Sequence, residues 1–337
     1  MMQHEQGKAL PEKRVIEGMT LSIVVPAYNE EAVIETFHRR LRDAASALAI
    51  RLEVIYVDDG STDRTPVIVT QLRDSDPAVG FLRFSRNFGK EIAVSAGLNH
   101  ARGDAVVVID ADLQDPPELI PSMVEAWQRG ADVVNMRRAS RAGETMLKRA
   151  TAHLFYRVIN QLAEVPIPED VGDFRLLSRR AVDALNRMPE RNRFMKGLFA
   201  WIGFQQETLT YHRDARAAGS SKWPYWRLWK LAIEGITGFS AAPLKFALYF
   251  GFASAAAAFM ALAYFLIKTW LLGDPVPGFP TTIVTVLFLG GVQIGSIGVL
   301  GEYVARVFIE SKGRPLYLID TYQPADLCLQ DEKTKNR

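Results

Sequence analysis

Three aspartates follow directly after a run of β-branched residues. In VVVIDADLQDPPE, Asp110, Asp112 and Asp115 stand within six positions, and two prolines follow them. The apolar run predicts a buried strand, and carboxylates at its end repel one another unless they share a cation. Oxygen ligands favour the hard ions Mg²⁺ and Mn²⁺ over zinc or copper. Such an ion binds a diphosphate, so Asp110 and Asp112 predict a metal and diphosphate site.

Two further strand ends carry acidic residues. From Leu21 onward, short segments rich in Val and Ile (LSIVVPAY, LEVIYVDD, VGFLRF, AVVVIDAD) alternate with segments of helical periodicity. This alternation predicts an α/β fold with a mostly parallel sheet, helices on both faces, and ligands at the carboxyl ends of the strands. Because Asn29-Glu30 and Asp58-Asp59 end the first two strands, we expect them beside the aspartates of the fourth.

Composition and motifs exclude several other classes of protein. The turn after the first strand, PAYNEEA, lacks the G-x-G-x-x-G of dinucleotide-binding folds, and the chain has no Walker loop. A net charge of +2 does not indicate binding to nucleic acid. A single cysteine, Cys328, excludes an intramolecular disulfide, and no Cys/His cluster has the spacing of a zinc site.

Two uncharged segments in the C-terminal third are long enough to cross a membrane. Phe246–Ile267 carries no charge over 22 residues, and a second run extends over Pro275–Gly301. We predict transmembrane helices over 243–272 and 281–304; a pair of buried core helices is the alternative. Basic residues flank the outer ends of this hairpin, which predicts that both termini and the N-terminal domain face the cytoplasm. These residues are Arg227, Lys230, Lys245, Arg306, Lys312 and Arg314.

The remaining segments complete the predicted organisation. Residues 1–20 form a polar tail without the apolar core of a signal peptide, and 21–220 form the α/β domain. Residues 221–242 hold three tryptophans and a tyrosine beside basic residues. This composition predicts an amphipathic helix in the membrane interface, with an ordinary packing helix as the alternative. Residues 305–337 are predicted to continue the last helix and to end in a loose polar tail from Thr321.

Several motifs together resemble a known family. SIVVPAYNEE, VDDGSTD, SRNFGKE, DADLQDPPE and GDFRLLSR, in this order, are similar to family 2 glycosyltransferases of the GT-A fold. The added C-terminal hairpin resembles that of polyprenyl-phosphate glycosyltransferases. PERNRFMKG, LAIEGITGFS, LFLGGVQ and GVLGEYVARVFIESKGRPLYLI are most similar to bactoprenol (undecaprenyl-phosphate) glucosyltransferases. The resemblance extends from Leu21 to Ile319.

The resemblance implies a fold and an activity. The fold is a Rossmann-like GT-A nucleotide-sugar domain, followed by an interfacial helix and a two-helix transmembrane hairpin in the cytoplasmic (inner) membrane. The activity is inverting, Mg²⁺- or Mn²⁺-dependent transfer of a sugar to polyprenyl phosphate, for later modification of lipopolysaccharide or another surface glycan. UDP-glucose is the implied donor, but relatives use UDP-N-acetylglucosamine or GDP-mannose with nearly the same motifs.

Other functions and partners follow from the same comparison of motifs. A processive polysaccharide synthase is an alternative, although its Q-x-x-R-W motif is missing from the chain. A non-catalytic membrane subunit is a second alternative, although it would have no use for three acidic strand ends. Two spans are too few for a sugar conduit, so a separate flippase and a downstream transferase are expected partners. Some relatives form tetramers, which implies a homo-oligomer.

The resemblance also assigns roles to matching residues. Asp112 and Asp173 are the implied catalytic residues. Acceptor-phosphate binding is implied for Arg138 and Arg149, because the arginine fork matches phosphate oxygens. Metal binding is implied for Asp110, Asp112 and Gln114. Nucleotide-sugar binding is implied for Pro26, Tyr28, Glu30, Asp58, Asp59, Lys90, Asp110, Arg213, Arg216 and Lys222.

Some of these residues have simpler alternative roles. Asp115 could cap a helix that begins at Pro116-Pro117. Arg138 and Arg149 could be solvated surface residues, and Lys90 could belong to an ordinary capping turn. We predict that Asp173 orients the reactants, because a phosphate monoester is largely ionised at pH 7 and needs no base.

Overall fold

The computed structural model describes residues 14–48, 50–139, 171–188, 190, 191, 193, 195–211, 242–272 and 278–328. Contacts divide the chain into an α/β unit and a unit of two long helices within 225–314. The predicted interfacial helix at 221–242 lies outside the described residues except for Ala242.

The α/β unit is built on an eight-stranded sheet with the order β7-β5-β6-β4-β1-β2-β3-β8. The strands are β1 (Thr20–Ala27), β2 (Arg51–Asp58), β3 (Val79–Phe84), β4 (Ala105–Val108), β5 (Val133–Arg138), β6 (Val171–Ser178), β7 (Gln206–Tyr211) and β8 (Ile319–Gln323). The helices of this unit are α1 (Ile34–Ser46), α2 (Thr65–Ser75), α3 (Lys90–His100), α4 (Ile120–Gln128), α5 (Arg179–Asn186) and α6 (Met195–Trp201). A short 3₁₀ turn, Pro117–Leu119, precedes α4.

The sheet is mostly parallel, as the alternating pattern predicts. Strands β1 to β4 run parallel to one another, so their carboxyl ends meet at one edge. Strand β6 is antiparallel to both β4 and β5. The start of β6 therefore lies at the same edge as the ends of β1, β2 and β4.

Central strand β1 and helix α3 form the core beneath that edge. All eight residues of β1 are buried, because sheet neighbours and helices cover both of its faces. Helix α3 packs closely on β1 at Gly97, where a Cβ would lie 2.1 Å from Val24 Cγ1. Only glycine permits this close approach, which fixes the position of α3 against the sheet.

The prediction of a loose tail from Thr321 is wrong for its first residues, 321–323, which belong to a strand, and residues 329–337 of that tail lie outside the described part of the chain. Strand β8 pairs antiparallel with β3 and covers that edge of the sheet. The preceding Tyr317 stacks on Phe84 with 5.0 Å between ring centroids, and Arg102 Nη2 donates to the Ala325 carbonyl at 2.7 Å. The segment IDTYQ is polar and half-exposed, so it lacks the apolar alternation that identifies a buried strand.

The second unit consists of α7 (Ala242–Leu272) and α8 (Phe279–Ser311). These helices have 31 and 33 residues, so each is about 45–50 Å long at 1.5 Å per residue and exceeds the hydrocarbon thickness of about 30 Å. Two candidate spans, Leu244–Ala261 and Phe288–Ser311, have 0% of their residues buried. That exposure does not fit the alternative of buried core helices.

Candidate active site

The register of the sheet brings Asp110 and Asp173 together. Val108 of β4 pairs with Arg175 of β6. Because these strands are antiparallel, two further residues along β4 correspond to two fewer along β6, and Asp110 faces Asp173. Lys90 joins them: its Nζ donates to Asp110 Oδ2 at 2.7 Å and to Asp173 Oδ2 at 2.6 Å. One ammonium thus bridges two carboxylates at the carboxyl edge of the sheet.

An open cleft of about 280 Å³ lies at this edge. Predicted nucleotide-sugar and metal residues supply most of its lining, and the Tyr28 side chain is 45% exposed. The predicted residues that line the cleft are Pro26, Tyr28, Glu30, Asp59, Lys90, Asp110 and Asp112. Strand ends that the sequence places far apart therefore form one surface.

Two loops at the cleft contain non-glycine residues in left-handed backbone conformations. Asn29 has φ 56° and Leu113 has φ 60°, which are unfavourable for L-residues and occur often at functional sites. Asn29 is held by hydrogen bonds to the next strand end: its N–H donates to Ser61 Oγ at 2.9 Å, and its Oδ1 accepts from the Thr62 N–H at 2.9 Å. Beside Leu113, Asp112 Oδ1 accepts from the Gln114 N–H at 3.2 Å.

Asp59 positions the loop that precedes Lys90. Its carboxylate accepts the backbone N–H groups of Phe88 at 2.6 Å and Gly89 at 2.9 Å. Gly89 then takes φ 103°, which glycine adopts readily, and α3 begins at Lys90. The turn at Lys90 is therefore a genuine helix start. The Lys90 side chain nevertheless binds Asp110 and Asp173. An ordinary capping turn would not require these contacts.

Charge and burial set the protonation of this group. Burial tends to raise the pKa of Asp173, but Lys90 and then Lys196 outweigh it and hold that pKa well below its usual range. Burial lowers the pKa of Lys90 less than Asp110 and Asp173 raise it, so the ammonium stays charged. Burial raises the pKa of Asp110, against the opposing effect of Lys90. Asp173 is thus a firmly ionised carboxylate and a poor proton acceptor at neutral pH.

Asp110 and Asp112 fit a site for a divalent cation. Among the described residues, Asp110 Oδ1 is buried and has no hydrogen-bond partner, while Oδ2 is held by Lys90. A buried carboxylate oxygen without a partner is costly unless a ligand completes it. No group of three or more His, Cys, Asp or Glu in the described part of the chain is arranged as a metal site. Two aspartates plus diphosphate and water oxygens would suit Mg²⁺ or Mn²⁺.

The remaining predicted residues have separate surroundings. Asp58 is fully buried, accepts the Ser61 N–H at 3.1 Å and lies 3.2 Å from Arg83 Nε. Among the described residues, Asp58 and Gln114 are not part of the cleft lining. Arg149, Arg213, Arg216 and Lys222 lie outside the described residues.

Asp115 does not cap the following helical turn. The turn has Pro116 as its N-cap residue without a side-chain cap, whereas buried Asp115 accepts a hydrogen bond from the Tyr211 hydroxyl. Arg138 is partly buried, and its Nη2 would lie 3.4 Å from a Cβ added to Gly172. Arg138 is therefore next to Gly172 at the start of β6, and not on an open surface.

Three charged residues of the site carry no role in the sequence prediction. Glu91 Oε2 accepts the Met195 N–H at 3.2 Å. Arg175 is buried, stacks 3.7 Å above the Phe199 ring and donates to the Gly172 carbonyl at 2.7 Å. Lys196 interacts electrostatically with Asp173, Arg175 and Glu91. Alternation along β6 places Arg175 on the same face as Asp173, but no local signal indicates Glu91 or Lys196.

Glu91 makes the stability of the protein depend on pH. Burial, and then Asp173, raise its pKa from 4.5 to about 7. The folded state therefore holds this proton more tightly than the unfolded chain, and stability falls as pH rises from about 4.5 through 7. We expect Glu91→Gln to be up to about 3 kcal/mol more stable than wild type at pH 8.5 and nearly equal to it at pH 5. Thermal unfolding at both pH values measures this difference.

The matched control is Glu125→Gln, which removes an exposed carboxylate from α4. It should shift the melting temperature equally, and little, at both pH values. Equal effects of pH on wild type and Glu91→Gln would contradict the assignment to Glu91.

The fold and the site together define a class of protein. Carboxylates at the carboxyl edge of this α/β sheet, in a cleft fit for a cation and a diphosphate, are those of a GT-A-type glycosyltransferase. The chain belongs to glycosyl transferase family 2, whose model matches residues 22–185, and a model of the GtrB C-terminal hairpin matches residues 242–307. The predictions of family, fold class and enzyme class are confirmed, and the non-catalytic alternative is wrong.

Individual proteins are similar over most of the chain. The bactoprenol glucosyl transferase of Shigella phage SfV is 48% identical over 301 residues, which are 89% of this chain and 98% of that protein. The prophage bactoprenol glucosyl transferase homolog of Escherichia coli K12 is 47% identical over 89% of this chain and 98% of its own length. Among solved structures, glucosyl-3-phosphoglycerate synthase from Mycobacterium tuberculosis, with Mn²⁺, UDP-glucose and phosphoglyceric acid, is 22% identical. That match covers 65% of this chain and 78% of the other, with a TM-score of 0.43.

Proposed function

We propose that this enzyme transfers glucose from UDP-glucose to undecaprenyl phosphate, with inversion at the anomeric carbon. The observation that carries the proposal is the Lys90 bridge between Asp110 and Asp173 at the edge of the cleft. This arrangement suits a reaction between two anions, because it combines fixed carboxylates with a fixed positive charge. The lipid acceptor is supported by the names of relatives that are 48% identical along most of the chain.

In the proposed reaction, an oxygen of the lipid phosphate attacks the anomeric carbon of the sugar. The bond from that carbon to the diphosphate oxygen breaks, and UDP leaves with the electron pair. An α-linked donor then gives a β-linked lipid phosphosugar. The acceptor is mostly dianionic at pH 7, so no proton has to be removed. Positioning and charge stabilisation therefore account for the rate.

The residues of the cleft divide these tasks. Tyr28, Pro26 and Glu30 lie where the base and ribose would bind, and the exposed Tyr28 ring is free to stack on a base. Asp110 and Asp112 would hold Mg²⁺ or Mn²⁺, with Gln114 as a proposed further ligand. When bound, that ion supplies neutralisation of the charge that develops on the diphosphate.

Acceptor binding and the orienting role fall to other residues. Asp173 remains ionised and orients Lys90. Arg138, next to the start of β6, binds the acceptor phosphate in this proposal. Asp58 and Asp59 support the nucleotide side through the loops that they hold. Arg149 is proposed to bind the acceptor phosphate as well. Donor binding is proposed for Arg213, Arg216 and Lys222.

The same proposal places the enzyme in the cytoplasmic membrane. Helices α7 and α8 span the bilayer, residues 221–242 lie in the interface, and the catalytic unit and both termini face the cytoplasm. The product is too polar to cross the bilayer unaided, so a flippase and a second transferase act after it. Assembly as a homo-oligomer belongs to the same proposal.

The test uses the full chain in vesicles that contain undecaprenyl phosphate. Labelled UDP-glucose, UDP-N-acetylglucosamine and GDP-mannose are supplied separately, with Mg²⁺, Mn²⁺ or EDTA. We expect a labelled lipid monosaccharide from UDP-glucose that EDTA abolishes. A labelled polymer would instead identify a processive synthase, and labelled lipid from another donor would overturn the assignment of glucose.

The single cysteine tests the proposed orientation. Cys328 is exposed and lies just after β8 in the α/β unit. A membrane-impermeant maleimide should label it in inverted membrane vesicles and leave it unlabelled in intact spheroplasts. Cys328→Ser gives the background in each preparation. Equal or stronger labelling in spheroplasts would contradict a cytoplasmic catalytic unit.

A further inference from the structure

The loop between β3 and α3 sets the position of Lys90. It consists of residues 85–89, and the first three of them are exposed. The loop packs closely on Gly60, where an added Cβ would lie 2.6 Å from the Arg86 carbonyl carbon. Asp59 accepts backbone N–H groups from the end of the loop. Exposed loops move more than the elements that they join, so a lysine at the end of this one depends on every contact that holds it.

A second support comes from residues 315–318. The chain returns to the α/β unit at Pro315, after α8 has ended at Ser311. The Leu318 carbonyl accepts the Ser85 N–H at 3.0 Å. This bond extends the pairing of β3 with β8 into the first residue of the loop. The C-terminal segment therefore holds the loop where it leaves the sheet.

Three aromatic rings continue this support along the loop. Tyr317 stacks on the fully buried Phe84, with 5.0 Å between ring centroids and 23° between the ring planes. Phe84 in turn meets Phe88 edge-on at 5.6 Å. Stacked and edge-to-face pairs are both favourable arrangements of aromatic rings. The Tyr317 hydroxyl also accepts a hydrogen bond from Asn99 Nδ2 of α3 at 3.3 Å. Tyr317 thus joins β3 to α3, the two elements between which the loop runs.

Tyr317 acts at a distance from the cleft. Among the described residues, the cleft lining does not include Tyr317, so its influence on the reaction passes through another residue. That residue is Lys90, which follows two positions after Phe88. Its Nζ lies 2.7 Å from Asp110 Oδ2 and 2.6 Å from Asp173 Oδ2. A displacement of about 1 Å in a positioned group can lower the rate about 10²-fold.

We propose that Tyr317 is a positioning residue for sugar transfer. Through Phe84 and Phe88, its ring holds the loop so that Lys90 remains bound to both Asp110 and Asp173. The inference rests on the proposed transfer to a polyprenyl phosphate, because that reaction gives the Lys90 bridge its role. A residue that follows the two long helices in the chain thereby contributes to the active site of the α/β unit.

The test compares Tyr317→Ala with Tyr317→Phe in the full chain, in vesicles that contain undecaprenyl phosphate. Tyr317→Ala should lower kcat about 10-fold and change the KM for UDP-glucose less than about twofold, because Lys90 is displaced while the nucleotide side of the cleft is retained. Tyr317→Phe keeps the stacked ring and should keep kcat within about twofold of wild type. Amide hydrogen exchange, measured by mass spectrometry, should be about 10-fold faster over residues 85–90 in Tyr317→Ala and unchanged in Tyr317→Phe.

Tyr322→Ala is the matched control. Tyr322 belongs to β8, is 41% exposed and packs its ring on His100 at 4.7 Å. The substitution removes an aromatic ring from the same C-terminal segment and should lower the melting temperature to a similar degree as Tyr317→Ala. The kcat and the exchange over residues 85–90 should stay at their wild-type values.

Several outcomes would overturn the proposal. An equal loss of kcat in Tyr322→Ala would leave Tyr317 a stabilising role only. Unchanged exchange over residues 85–90 in Tyr317→Ala would show that the ring does not hold the loop, and a loss of kcat in Tyr317→Phe would show that the stacked ring is not what positions Lys90. If wild type itself forms no labelled lipid, the proposed function fails and the catalytic part of this inference fails with it. The exchange measurement needs no substrate and tests the support of the loop separately.

Discussion

Replacement of Asp110 by asparagine is expected to lower sugar transfer about 10²- to 10³-fold. Asp110 Oδ1 is a buried oxygen without a hydrogen-bond partner among the described residues, and Oδ2 accepts from Lys90. Asparagine keeps the shape of the side chain but removes the charge that both Lys90 and a divalent ion require. The variant should bind Mn²⁺ more weakly in the presence of UDP, which electron paramagnetic resonance measures through the signal of free Mn²⁺.

The Asp110→Asn variant must keep the wild-type fold for that loss of activity to be informative. Asp183→Asn is the matched control, since Asp183 is an exposed aspartate of α5 whose only described ion pair is to Arg179 at 3.5 Å. It should keep wild-type Mn²⁺ binding and transfer. If Asp110→Asn bound Mn²⁺ as wild type does and transferred sugar within threefold of it, Asp110 would not be a metal ligand.

Replacement of Asp173 by asparagine is expected to reduce kcat about 10²-fold, with little change in the KM for UDP-glucose. We expect this loss of rate because Lys90 loses one of its two carboxylate partners and no longer holds the reactants in position. Lys90 and Lys196 hold the pKa of Asp173 well below its usual range against the effect of burial. It therefore stays ionised throughout pH 6.5–9, and the kcat–pH profile of the variant should keep the wild-type shape.

That profile tests whether titration of Asp173 limits the rate in this pH range. A general base loses its function below its pKa, so a wild-type acid limb that disappears in Asp173→Asn would show that Asp173 removes a proton. An unchanged shape with a uniformly lower rate shows that Asp173 does not titrate in this range, as the orienting role predicts. Binding of UDP with Mn²⁺, measured by calorimetry, confirms that the donor site of the variant is intact.

Helix and strand patterns predict where the acidic strand ends lie, because these patterns are local. β-branched runs identify β1, β2 and β4 from the sequence alone, and the residues after them are acidic. Parallel strands joined by helices must end at the same edge. For that reason the strand pattern predicts Glu30, Asp59 and Asp110 to be neighbours, and all three line one cleft.

Local patterns are less informative about side chains that form hydrogen bonds with backbone groups of distant loops. Asp59 belongs to the predicted nucleotide rim, yet its carboxylate holds the N–H groups of Phe88 and Gly89. For Asp115 the sequence allows either a role in the site or a role as a helix cap. In the structure its carboxylate accepts a hydrogen bond from the Tyr211 hydroxyl. The choice among such partners depends on loops that meet only in the folded chain. The polar strand β8 was missed for the same reason, because its partner β3 lies far away in the sequence.

The sequence by itself determined the class of this protein: acidic ends on apolar strands, and two uncharged segments long enough to span a bilayer. Composition and periodicity act over a few residues, so a sequence displays them directly. Only the tertiary structure decided that Asp110 faces Asp173 across an antiparallel pair and that Lys90 bridges them. It alone joined Glu91 to the start of α6 through the Met195 N–H. These contacts depend on strand register and helix packing between distant segments, and neither leaves a periodic trace in the sequence.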